Sequence, residues 1–154
     1  MFTWRIAHNS LALRSNLQRR GVKLDDINCL FCGRSAEDGA HLFVKCKHAK
    51  EVWRHLGFEN VRQKLETADS ARETLEMIWT LPERERLQIL TSWWHWWNNR
   101  NKLREGELLV SCVDIVRRGI SQADEFLEMF SNSCKKMNAD PHKWRPPEGV
   151  LKIN

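Results

Sequence analysis

The chain has 154 residues, a formal charge of +5, five cysteines, eight tryptophans and no tyrosine. Its length fits one domain, or a domain with appendages, and suffices to bury a core. No apolar run nears a membrane-spanning length, so no membrane partner is expected. An odd cysteine count with no secretory signal argues against a disulfide framework and for a reducing compartment.

The charge is unevenly spread. Residues 1–64 hold 12 Lys+Arg against 6 Asp+Glu, residues 65–106 hold 6 against 7, and residues 107–154 hold 7 against 7. A basic stretch suits phosphate backbones, and equally a plain solvated face. Residues 1–24 contain no acid and carry Arg5, Arg14, Arg19, Arg20 and Lys23. Ile6, Leu11, Leu13 and Leu17 predict a helix over 9–20, closed by Gly21. Such a start also looks like a mitochondrial presequence, against which Trp4 argues mildly; nucleus and cytoplasm are the other expected compartments.

Cys29, Cys32, His41 and Cys46 follow the spacing C-x2-C-x8-H-x4-C. Three thiolates and an imidazole make a closed tetrahedral set, so Zn2+ is the expected cofactor and its role structural. Gly33 lets the backbone fold back so that amides can point at the sulfurs. A redox Cys-x-x-Cys lacks its βαβ context here, and buried free thiols are the other reading. His8, His48 and His55 read as surface or packing residues, with His48 the best substitute for His41. Asp38 as an N-cap puts His41 in the first turn of a helix over 40–56. Leu42, Ala49, Val52, Trp53 and Leu56 share its apolar face with Cys46. Lys45, Lys47, Lys50 and Arg54 lie largely opposite, as a nucleic-acid stripe or the commoner solvated face.

Residues 57–69 are polar. Ser70-Ala-Arg-Glu73 reads as a capping box opening a short helix with Leu75, Ile78 and Trp79. Pro82, at the first helical position, starts a helix to about 104. That helix carries Trp93, Trp94, Trp96 and Trp97. Leu87, Leu90, Trp94 and Trp97 form one stripe; Ile89, Trp93 and Trp96 form a neighbouring one. Apolar over so much of its circumference, it fits between two layers or at an interface better than as a base-stacking platform. His95 reads as an incidental polar residue. After Gly106, a helix over 107–137 carries Leu109, Cys112, Val116, Ala123, Phe126, Phe130 and Met137, with Gly119 and Ser133 interrupting the seam. Cys112 and Cys134 should lie in or near a helical core. Folded back, this helix makes an antiparallel hairpin; otherwise its seam pairs with another chain. From Asp140 the tail reads as extended. The expectation is an all-α protein with a structural CCHC zinc knuckle: a zinc domain with basic helices over 1–58, a Trp-rich helical hairpin over 59–138, and a linker over 139–154.

Several stretches resemble the zinc-binding region downstream of the reverse transcriptase in plant LINE-type, non-LTR retrotransposons. Phe2-Thr-Trp-Arg5, Ile6-Ala-His-Asn-Ser-Leu11 and Asn16-Leu-Gln-Arg-Arg-Gly21 look like that family's opening. Cys29, Cys32, Glu37-Asp38, His41-Leu-Phe43, Cys46 and Trp53 look like its zinc core. Trp96-Trp97 with Arg100-Asn101 resembles its connector, and Trp144-Arg-Pro-Pro147, Gly149 and Leu151-Lys-Ile-Asn154 the lead-in to its RNase H domain. Against that family's pattern, neither a preceding polymerase nor the nuclease's first acidic residue is expected in this chain. No carboxylate cluster for two-metal hydrolysis is present, so no nuclease activity is expected.

The resemblance implies handling of RNA or template. The first expected function is therefore non-catalytic binding of single-stranded RNA or DNA with low sequence specificity. Arg14, Arg19, Arg20, Lys45, Lys47 and Lys50 would contact phosphates. The alternative is a protein-interaction or homo-oligomerisation module using Trp93, Trp94, Trp96, Trp97 and the long C-terminal helix. An enzyme has least support: Glu37 and His8 could pair as acid and base, but no nucleophile or open metal accompanies them.

Overall fold

In the computed structural model, residues 1–139 are described, with side chains to residue 131. The expected tail from Asp140 and the side chains of Ser133, Cys134 and Met137 lie outside the described residues. Seven α-helices run in order along the described residues: α1 Phe2–Ala7, α2 Arg14–Arg19, α3 Lys47–Leu56, α4 Glu59–Leu65, α5 Ala71–Trp79, α6 Glu83–Arg104 and α7 Cys112–Ala139. Among the described residues the only strand-like pairing is one bridge, Asn28 with Ala36. The architecture is all-α. No described helix is long and apolar enough to cross a membrane.

Of the helix expected over 9–20 only α2 forms; α1 lies wholly before that range, and a turn separates the two. Asn9 takes φ 46°, a left-handed conformation that a short polar side chain tolerates. The buried Asn16 holds this turn, its Nδ2 donating to the carbonyls of Asn9 and Leu11 at 3.0 Å each. Leu11 and Leu13, 2% and 1% exposed, are thereby pinned in the core by a turn rather than a helix face.

The helix expected over 40–56 also breaks. A π-helical turn, His41–Lys45, precedes Cys46, whose φ −58° and ψ 139° take it out of the helix to cap α3. The last carbonyls of that turn need donors from outside. Trp96 Nε1 donates to Leu42 O at 2.8 Å, Trp53 Nε1 to Phe43 O at 2.7 Å, and Arg62 to Val44 O at 3.3 Å. The carbonyls freed by the break are thus satisfied by three largely buried side chains. Gly57 ends α3 at φ 78°.

Ser70 Oγ accepts from Glu73 N as expected, but Glu73 reaches back to Asp69 N rather than Ser70 N. Pro82 caps α6 from just outside, with ψ 145°, instead of occupying its first turn. The last helix starts at Cys112, not 107. Ser111 Oγ accepts from Asp114 N and donates to its carboxylate, which sets that start.

α6 and α7 are antiparallel. Asn99 bonds both backbone groups of Val110, Thr91 Oγ1 donates to Gly119 O at 2.7 Å, and Arg84 pairs with Asp124. Gly119 does not interrupt a seam; it marks the closest approach. A Cβ there would lie 2.2 Å from Ser92 Oγ and 2.8 Å from Ser92 Cα. In an unpacked helix Gly→Ala gains roughly 0.5–1 kcal/mol. Here Gly119→Ala should instead cost about 1–3 kcal/mol in a urea melt, because backbone blocks the methyl. A stabilised variant would refute this contact.

Beyond Ala123 the packing stops. Phe126, Met129 and Phe130 are 37%, 65% and 64% exposed, so the expected seam is only half used among the described residues. One core runs from Ile6 through Leu42, Trp53 and Trp93 to Val116. Residues on both sides of the expected boundary at 58 share that core, and α3 of the zinc-bearing part packs directly on α7, with Cys112 Sγ 3.9 Å from His48 O.

Candidate metal centre

The knuckle is a tight loop closed on itself. Cys29 N donates to Ser35 O at 2.7 Å, Glu37 N to Ile27 O at 2.8 Å, and Gly33 N to Cys29 O at 2.8 Å, with Gly33 at φ 65°. The loop presents Cys29 and Cys32 from one turn. Asp38 caps the next segment, its Oδ1 accepting from His41 N at 2.7 Å, which sets His41 in the first turn as expected. The break at Cys46 then brings the fourth side chain back.

The four ligand atoms of Cys29, Cys32, His41 and Cys46 lie within 4.8 Å of one another. Cys29 Sγ is 3.9 Å from Cys46 Sγ, and Cys32 Sγ is 3.2 Å from His41 Nε2. Zn–S bonds of about 2.3 Å at tetrahedral angles put sulfurs ~3.8 Å apart, so the set fits zinc. Buried Cys29 and Cys46 face half-buried Cys32 and His41. His48 is not in the set; its ring lies beside Phe31.

The electrostatics suit this ligand set. The hydrogen bond with Cys46, then burial, raise the Cys29 thiol far above its usual range, while backbone amides of Cys32 and Phe31 pull it down. Cys46 is lowered, first by the hydrogen bond with Cys29 and further by the amides of His48 and Ala49 at the start of α3. Burial lowers His41, which favours the neutral ring a metal needs. Zinc binding therefore displaces protons from the sulfurs. Burial pushes the Cys112 thiol, outside the ligand set, up to about 11.

The group that fixes this centre to the rest of the chain is a buried ion pair that the sequence does not announce. Glu37, 0% exposed, pairs with Arg100 of α6, 1% exposed. Arg100 Nε donates to both carboxylate oxygens at 3.1 and 3.2 Å, and a terminal guanidinium nitrogen donates to Oε1 as well. The same carboxylate accepts from Arg14 N at 3.2 Å and Leu30 N at 3.4 Å. One acid thus joins α2, the knuckle and α6. In the sequence Glu37 is an acid next to a cap residue and Arg100 follows Trp97 by three residues; both fall in stretches that carry the family resemblance, but nothing in the sequence pairs positions so far apart. Being buried in this pair, Glu37 is not available to act with His8.

The basic residues divide. Arg19, Arg20, Lys45 and Lys47 are exposed, Arg19 while also donating to Asn16 Oδ1. Arg14 binds Asp26 and Asn28 O, and Lys50 pairs with Glu66 at 3.4 Å, so both are already engaged. Of the four clustered tryptophans, Trp93, Trp96 and Trp97 lie inside the chain's own core. Phe31 stacks on Trp96 and Phe43 on Trp93, and Arg100 sits over Trp97. Of these four only Trp94, 40% exposed, keeps a face to solvent, which corrects the expectation of a four-tryptophan interaction surface.

Fold and centre together define a helical zinc-binding protein with a Cys3His knuckle. Residues 1–53 match the family model described as zinc-binding in reverse transcriptase, and all four ligands fall within that match. This part of the chain is accordingly similar to the zinc-binding region of reverse transcriptases. No curated protein and no solved structure matches the chain.

Proposed function

We propose that the chain is a retrotransposon-derived zinc module that binds single-stranded nucleic acid with low sequence specificity and catalyses nothing. The match of residues 1–53 to a reverse-transcriptase zinc region carries this reading, since such enzymes work on nucleic-acid templates. Its finer form, descent from a plant LINE-type polyprotein with Trp96 onward as connector, rests on the sequence resemblance. The positive surplus of residues 1–64 supports it. A four-ligand zinc site leaves no open position for substrate, which suits a structural metal.

Arg19, Arg20, Lys45 and Lys47 are the proposed phosphate contacts. Four contacts to a single strand give log K against log salt a slope of about −3. Fluorescence anisotropy with a short RNA at several salt concentrations measures that slope. Salt-independent binding, or none, refutes the reading. Arg19→Ala with Arg20→Ala should shallow the slope by about 1.4.

Exposed Phe126, Met129 and Phe130 favour a second reading, in which the far half of α7 pairs with another protein or a second copy. Native mass spectrometry counts the subunits. Phe126→Ser with Phe130→Ser should abolish any self-association, and a persisting complex would sink this reading.

A further inference from the structure

We propose that the exposed indole of Trp4 stacks on one base of a bound single strand, with Arg19 holding a neighbouring phosphate. The inference rests on nucleic-acid binding as the function and adds the base contact that the largely buried tryptophans of α6 do not provide. A base needs an open ring face, and a strand needs a cation beside that ring.

Among the described residues three tryptophans are well exposed: Trp4 at 59%, Trp79 at 54% and Trp94 at 40%. Their surroundings separate them. Trp79 has the Arg86 guanidinium over its ring at 5.2 Å, and Glu76 and Glu83 lie within four positions of it. Trp94 meets the Phe2 ring at 5.3 Å and has no Lys or Arg within four positions. Trp4 lies in the acid-free stretch 1–24, and its ring meets that of His8, one turn on, at 4.4 Å and 41°. No other aromatic ring and no cation meets it among the described residues.

The turn after α1 ties this pair of rings to a guanidinium. Asn16, 1% exposed, donates to the backbone carbonyl and the side-chain oxygen of Asn9, the residue after His8, at 3.0 Å each. The oxygen of the same Asn16 amide accepts from Arg19. Arg19 is thus held beside the turn by a buried side chain while staying exposed, and no acid pairs with it among the described residues. Its remaining donors can meet a phosphate with the side chain already ordered. Arg5, next to Trp4, shares a cavity with Asp38 and Asp69, so the phosphate contact falls to Arg19. An open indole beside an ordered, unpaired guanidinium is the combination that sequence-tolerant strand binding uses. A free phosphate would make no use of the ring, and an aliphatic protein surface would leave the guanidinium without a counter-charge.

The test uses fluorescence anisotropy of the zinc-loaded full chain with two strands of about eight nucleotides, oligouridylate and the same strand with abasic ribose throughout. Oligouridylate should bind more tightly. Trp4→Ala should weaken its binding about tenfold while leaving the abasic strand's affinity and the salt slope unchanged. Trp4→Phe, which keeps a ring, should recover most of that loss. Arg19→Ala should weaken both strands and shallow the slope by about 0.7. Trp79→Ala should change neither. Zinc content reports whether each variant folds, and truncating a side chain as exposed as Trp4 leaves no hole in the core.

If oligouridylate binds with the expected salt slope while Trp4→Ala weakens both strands equally, or neither, the stacking site is wrong and the nucleic-acid function stands. An abasic strand bound as tightly as oligouridylate overturns the proposal in the same way. If neither strand binds, both readings fall.

Discussion

Stripping zinc from the folded chain should collapse the knuckle and release the core around α6. Besides the metal, residues 27–37 are held by one bridge, a few backbone bonds, the Glu37 contacts, the Arg14 bond to Asn28 O and the Phe31 stack on Trp96. Structural zinc contributes an apparent ~10–16 kcal/mol in small zinc-finger peptides, comparable with the roughly 5–15 kcal/mol stability of a whole domain. Residues 25–56 are therefore expected to unfold without metal. The damage should spread, because Trp53 and Trp96 donate to carbonyls of the turn that carries His41, and Phe31 of the knuckle stacks on Trp96. A chelator titration should show one zinc lost per chain, tryptophan emission shifting to the red and near-UV dichroism falling, with part of the α6–α7 helicity retained. Cys46→Ser should reproduce this and Cys112→Ser should not. A chelated chain that keeps its near-UV signal and unfolds at the same temperature would show that the four side chains are a packed cluster and not a metal centre.

Sequence is most legible where spacing alone decides chemistry. Cys29, Cys32, His41 and Cys46 stand out because three thiols and an imidazole so spaced suit a tetrahedral metal better than a redox pair or a core. Gly33 and Asp38 place the metal-bearing loop correctly. The antiparallel return of α7 on α6 follows from two apolar periodicities around Gly106. The breaks are hidden. A continuous helix through Cys46 satisfies local periodicity, and what overrides it is tertiary: the fourth sulfur must turn back to the knuckle, and Trp96, Trp53 and Arg62 supply donors to the freed carbonyls. The turn at Asn9 depends likewise on the buried amide of Asn16. Gly119 reads as a flaw because periodicity counts side chains, whereas a close helix crossing needs one to be missing. The tryptophans read correctly as buried, Trp94 apart, but pattern shows only how much of a helix is apolar, not whether the cover comes from the same chain.

Arg100→Met should be the most damaging substitution outside the ligands, costing about 3–5 kcal/mol, because it leaves the Glu37 carboxylate buried without its charge partner. Two amides, Arg14 N and Leu30 N, would remain as donors, too few to replace a guanidinium bound to both oxygens. Arg100→Lys should not rescue, since an ammonium lacks the planar fork. Glu37→Gln should be similarly costly, for it strands the arginine in the core. The double variant should cost less than the sum of the two, with a coupling of about 0.5–3 kcal/mol in urea melts of the zinc-loaded protein. Arg72→Ala, which breaks the exposed pair with Glu76, serves as the control and should change stability by less than ~1 kcal/mol. If the bridge also positions the knuckle, as its bond from Leu30 N implies, each single variant should bind zinc more weakly in competition with a chelating dye, and the control should not. Additive single effects with unchanged zinc affinity would mean that Glu37 and Arg100 merely fill space, and that the zinc centre holds its place against α6 through the Phe31–Trp96 and Phe43–Trp93 stacks and the Trp96 bond to Leu42 O.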